Sequence, residues 1–266
     1  MLIDDFYYNF DGKVPRPDAV IKVHNVADYV YETELLSSLP GAEDAVSLRR
    51  PFSNTWFEFS MRAGSKTVPI AILSFENFLE AGQVFVSEDL YIYGRTGGFD
   101  IFGSIVTTYD YEGKYVSDHR NQCQVADNPN THITEEEAKL RQKWMEQWDG
   151  VLILALSFLH CKNVELVKNP LRAIEVRERR KQNKDYFEEF YTLKIDPMKR
   201  ILDTDGQAGT KGLKYALHIC RGHFKTYDGK GLFGKYPGTY FWPAHMRGDG
   251  KVGKIYKDYT VEPNKS

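Results

Sequence analysis

Short runs in which aromatic or β-branched residues alternate with polar ones dominate residues 54–118: NTWFEFSMR, KTVPIAILSFE, QVFVSEDLYIYGR and FDIFGSIVTTYDY, separated by Gly or polar clusters. A period of two is what a strand produces, because successive side chains leave opposite faces of the pleat. The short separators favour antiparallel neighbours, so this stretch predicts an antiparallel meander. Its Tyr and Phe residues supply the inner face, and Glu58, between Phe57 and Phe59, is expected to point to solvent. After Thr134 the period changes. Ala138, Arg141, Trp144, Met145, Trp148, Leu152, Ala155, Leu156 and Leu159 recur at steps of three and four, which predicts a helix over 134–160. Thr134 with Glu137 forms a capping box at its start. Asp149-Gly150 is expected to bend or break it, and its second half, apolar nearly all round, should be the spine against which the sheet packs.

The remaining elements follow from local signals. Pro15 and Pro17 suggest an extended run over 14–24, and Asn25 or Asp28 can cap a helix through VADYVYETELLSSL that stops at Pro40-Gly41. A short helix is compatible with 41–49, and 119–133 reads as a polar loop. NVELVK and DYFEEFYTLKID read as strands on either side of a basic segment, and DTDGQAGTKG (203–212) reads as a flexible link. Near the end, LKYALHICRGHFKTY and TYFWPAHMRGD alternate like two strands joined by a long Gly-rich hairpin loop. Together these predict an α+β fold: an antiparallel sheet packed on a long central helix, with a smaller basic β-rich C-terminal region. The break is expected near residue 160, giving 1–160 and 161–266 as two regions or one continuous domain.

Composition sharpens this picture in two ways. Of 266 residues 42% are apolar and 14% aromatic, enough for a sizeable core. The net charge of −2 conceals a split, with 13 Lys and Arg against 24 Asp and Glu in 1–160, and 22 against 13 in 161–266. Such asymmetry suits either a polyanion on the basic half or attraction between the halves. Three widely spaced cysteines, Cys123, Cys161 and Cys220, point to a reducing compartment rather than a zinc knuckle. The N-terminus lacks the layout of a secretory signal, and the longest apolar run is far short of a membrane span, so a cytoplasmic protein without membrane contact is expected. His160 and Cys161 at the end of the long helix read as packed side chains rather than a nucleophile and its base.

Candidate chemistry concentrates in the last two strands. Alternation puts Arg221, His223 and Lys225 on one face of the first, and His245 and Arg247 on one face of the second. If the strands pair, these cations and imidazoles converge beside Tyr240 and Trp242, a mixture suited to phosphate and to base stacking. His223 and His245 also have the types needed for acid and base in metal-independent phosphodiester cleavage, with Arg221 and Arg247 able to hold charge on phosphorus. Arg177, Arg179, Arg180 and Lys181 form a second basic run, read as a solvated surface or an arm following a phosphate backbone. No metal set, P-loop or dinucleotide fingerprint is present, and no cofactor is expected.

The order NTWFEF, VLILALSFLHCKNVELV, a basic segment, FYTLKI and HICRGHF…FWPAHMRGD resembles a group of phage and mobile-element proteins related to a type V-A anti-CRISPR family that triggers loss of its target's mRNA. The resemblance covers residues 50–250, and Arg221-Gly222-His223-Phe224 with Trp242-Pro243 is its most specific part. It implies a protein in the host cytoplasm that binds RNA or a ribosome–nascent-chain complex, with a host polypeptide as a further partner, and lowers expression of a defence target. A metal-independent ribonuclease and a purely protein-binding inhibitor are the two other readings open at this point.

Overall fold

The computed structural model describes residues 16–32, 39, 41–63, 65–78, 83–93, 99–117, 122–125, 134–181, 187–196, 216–220, 222–232, 235–242, 245–247 and 249–254. The chain divides into two compact units, residues 1–160 with 165–194, and residues 161–164 with 195–266. Residues 165–194, with the basic run, thus return to the first unit.

An eight-stranded sheet organises the first unit, in the order β6-β5-β4-β3-β2-β1-β8-β7. The predicted meander is its antiparallel half: β2 (Asn54–Ala63), β3 (Lys66–Phe78), β4 (Gln83–Tyr93) and β5 (Phe99–Asp110) pair in sequence. The sheet as a whole is mixed, which corrects the purely antiparallel expectation. β1 (Ala19–Lys22) runs parallel to β2 on one side and to β8 (Glu189–Ile195) on the other. Its sequence, AVIK, is apolar almost throughout because neighbours and both faces enclose it, so it carries no alternation to read. β6 (Gln122–Val125) adds an edge strand within the predicted loop, and β7 (Val164–Pro170) forms the other edge.

Helix α1 (His24–Glu32) connects β1 to its parallel neighbour β2 and buries Val26, Ala27 and Val30. Helix α2 (Glu135–Leu159) has the predicted capping box, with the Thr134 side chain accepting from Glu137 N and the Glu137 carboxylate accepting from Thr134 N. It runs unbroken through Asp149-Gly150. Gly150 lies under Leu39, whose Cβ would stand 2.8 Å from an added methyl carbon, so close approach accounts for the glycine. Met145, Trp148 and Val151–Phe158 are buried, and Phe158 meets Tyr29 of α1 edge-on with ring centroids 6.1 Å apart. The segment after a 3-10 turn at Ala42–Asp44 adds Ala45 and Leu48 to a cluster with Val84, Val86, Tyr109 and Ile153. Among the described residues no helix is long and apolar enough to cross a membrane.

Gly103 of β5 marks a close approach in this core. A Cβ there would fall 2.4 Å from Met145 Cε and 2.5 Å from the Gln124 carbonyl oxygen on β6. Met145 can move, whereas the backbone oxygen cannot without disturbing the edge pairing. Gly103→Ala should therefore cost about 1–3 kcal/mol, the range for overpacking, measured as a lower denaturant midpoint at unchanged slope.

Candidate nucleic-acid interface and the buried carboxylates

The second unit realises the predicted hairpin as two interrupted strands. β10 (His223–Leu232) pairs with β11 (Tyr236–Trp242), and β9 (Ala216–Cys220) pairs with β12 (His245–Arg247) and with β13 (Asp249–Lys254). One register runs through both antiparallel pairings: Lys225 is opposite Tyr240, His223 opposite Trp242, Cys220 opposite His245 and His218 opposite Arg247.

That register sets four of the candidate residues, His223, Lys225, Tyr240 and Trp242, in neighbouring cross-strand rows, and pairs His245 and Arg247 with other residues, Cys220 and His218. Trp242, the partner of His223, stands three positions before His245, and residues 243–244 between them lie outside the described residues. His223 shares its cross-strand row with Trp242, and His245 shares one with Cys220. Arg221 lies outside the described residues, as do the side chains of His245 and Arg247.

What the ribbon does gather is smaller and more aromatic. Tyr240 and Leu232 are buried, and Tyr227 and Trp242 pack against them. Tyr227 meets the Tyr240 ring at 6.0 Å in an edge arrangement, and burial raises the Tyr240 hydroxyl's pKa. Tyr240 is therefore a floor to the surface rather than the stacking platform expected of it, whereas Trp242 stays half-buried. His223 and Lys225 are exposed, and the Lys225 ammonium sits 5.0 Å from the Tyr227 ring centroid. A further cation was not legible in the sequence. Asn163 binds β11 as a strand neighbour would, its Nδ2 donating to Phe241 O and its Oδ1 accepting from Phe241 N, both at 2.9 Å. This places Lys162 over Gly238, opposite Tyr227, with its Cε 2.9 Å from where a Cβ would be. Gly238 has φ +123°, so both its conformation and its contact with the lysine stem favour glycine.

The second basic run lies in the first unit. Arg177, Arg179, Arg180 and Lys181 belong to helix α3 (Ala173–Lys181), with Arg179 half-buried and the other three exposed.

Two carboxylate groups escaped the sequence reading because their members are far apart in the chain. Glu58 is not on a solvent face; it is 2% exposed, accepts from Trp56 Nε1 at 3.1 Å and faces Lys22 Nζ at 4.0 Å. Burial lowers the nearby His24 pKa, against the opposing pull of Glu58. On the other face of the sheet, Ser74, Glu76 and Glu88 surround Arg50. Its Nε donates to Ser74 Oγ at 3.1 Å, its Nη1 to Leu48 O at 2.5 Å, and its Nη2 forms an ion pair with Glu88. Glu76 accepts from Arg50 N at 3.2 Å and from the Tyr109 hydroxyl. Burial and then the bond to Glu76 push the Tyr109 hydroxyl's pKa well up. From α2, Asp149 meets Glu88, and burial first, then the Glu88 charge and their hydrogen bond, raises its pKa well above the usual carboxylate range. The cluster is a closed polar interior, with Arg50 and Glu88 side chains 3% and 1% exposed, which does not suit it to a substrate. Among the described residues no group of three or more His, Cys, Asp or Glu is arranged to hold a metal ion.

Compared with protein families, with curated proteins and with solved structures, the chain matches none.

Asp149 keeps its proton in the fold at pH values where an unfolded aspartate, near 3.8, has lost it. The folded chain then binds the extra proton, so this group's contribution to stability declines as pH climbs above that value. Asp149→Asn offers Glu88 an amide donor and removes the titration. Between about pH 4 and 8 the denaturation midpoint of the unaltered protein should fall relative to that of the variant, read from parallel denaturant series.

Proposed function

We propose that the protein binds single-stranded RNA along the β10–β11 ribbon. The observation that carries this reading is the placement of exposed Lys162, Lys225 and His223 around half-buried Tyr227 and Trp242. Among the described residues neither Lys162 nor Lys225 is paired with a carboxylate, so both charges are available to phosphate. Aromatic rings beside them offer base stacking, worth about 1–3 kcal/mol per base and tolerant of sequence. Charge supports the same assignment: residues 161–164 with 195–266 hold 14 Lys and Arg against 7 Asp and Glu. In this reading α2 is the spine of an acidic sheet-bearing unit, and the basic β-rich tail is the RNA-facing part. The resemblance to the anti-CRISPR family supplies the setting, an RNA or ribosome–nascent-chain complex whose message encodes a host target. The ribonuclease reading gains nothing from the register, which pairs His223 with Trp242 and His245 with Cys220.

Binding of a labelled oligouridine should weaken with salt, with a slope near 0.7 per phosphate contacted. Lys162→Ala and Lys225→Ala should each weaken it about 3–10-fold and flatten that slope by roughly one contact, while Trp242→Leu weakens it without altering the slope. Lys139→Ala, in an exposed ion pair with Glu135 on α2, should change nothing. Oligouridine should stay intact during incubation in EDTA. Indifference of binding to both lysine substitutions at low salt defeats the assignment.

A further inference from the structure

Helix α3 is unusual in this molecule because none of its nine residues is buried. At about 100° per residue, Val176, Arg180, Ala173, Arg177, Lys181 and Ile174 fall in that order around one continuous face. Those six residues line a single open hollow of about 970 Å³. Ile174 is 60% exposed on its rim, a large apolar side chain left in water beside three cations.

The first of the helix's acids is engaged away from this face. Glu175 turns back to Arg172, accepting from its Nε at 3.1 Å and from its backbone N at 3.0 Å, and this pairing lowers its pKa to about 2. Neither Arg177 nor Lys181 has a carboxylate partner among the described residues. Of the described residues that line the hollow, half are apolar and half cationic, which separates two classes of ligand. A phosphate backbone would use the cations and leave Ile174 and Val176 wet. A polypeptide helix with carboxylates beside an apolar stripe would use both, its Leu-type side chains covering Ile174 and Val176 while its carboxylates meet Arg177 and Lys181.

We propose that α3 is a docking surface for an acidic, amphipathic segment of a partner polypeptide. The site lies in the first unit and stands independently of the RNA-binding ribbon. The partner's affinity comes from covering the exposed isoleucine, and its orientation from the one-signed charge of the helix face.

The test uses the full-length protein and a fluorescein-labelled peptide alternating Glu pairs with Leu at helical spacing. Binding by anisotropy in the micromolar range is expected, with a loss of about tenfold or more on Arg177→Glu with Lys181→Glu, and a comparable loss on Ile174→Ser. Lys225→Ala should leave peptide binding unchanged. A poly-Glu peptide of equal charge should bind at least tenfold more weakly, since it lacks the apolar stripe. All of these positions are exposed, and an unchanged denaturation midpoint checks each fold. The proposal is overturned if the Glu/Leu peptide does not bind, if poly-Glu binds equally well, or if the Arg177 and Lys181 reversals abolish oligouridine binding while sparing the peptide.

Discussion

A guanidinium that cannot be neutralised has to be answered wherever it is buried, and Arg50 sets that requirement for the first unit. Its donors end on Ser74 of β3, on Glu88 of β4 and on its own loop's carbonyl, while Glu76 holds its backbone nitrogen and the Tyr109 hydroxyl of β5. The cluster thus ties together the loop before β2, three strands and, through Asp149, helix α2. Removing one partner of such a buried pair typically costs about 3–5 kcal/mol, because the other charge is left without an answer. The raised pKa of Asp149 is part of the same balance: burial, and then the carboxylate of Glu88 beside it, disfavour a further negative charge there.

The ribbon works by the opposite arrangement. There the aromatic rings make the buried floor, and the ammonium groups of Lys162 and Lys225 are left in water. Asn163 links the two kinds of construction. By copying the hydrogen bonds of a strand with a side-chain amide, it positions Lys162 on a surface that β10 and β11 alone would leave with fewer cations.

Period was the most readable signal in the sequence. Strands β2 to β5 announce themselves because one residue in two faces a crowded side of the sheet, and α2 because its cap and its three-four spacing agree. β1 falls within the run expected to be extended, but its place inside the sheet was not legible: four residues enclosed by neighbours on both edges need no polar alternation. Glu58 was misplaced because alternation tells which residues share a face without telling whether that face is covered. In the ribbon, sequence identified the residue types but could not supply the register, which sets His223 opposite Trp242 and His245 opposite Cys220. Lys162 was invisible because its place depends on a glycine some 76 positions away accepting its stem.

The path of the chain between the units has a consequence for dissecting them. It leaves the first unit after His160, contributes only Cys161–Val164 to the second, returns for 165–194, and departs again at Ile195. A fragment beginning at residue 195 would carry β11 but not the amide that completes its edge, and a fragment ending at 160 would lack β7 and β8 beside β1. The two halves are therefore sewn rather than strung. A protease nick anywhere in 165–194 would leave every element present, yet no single cut yields either unit whole.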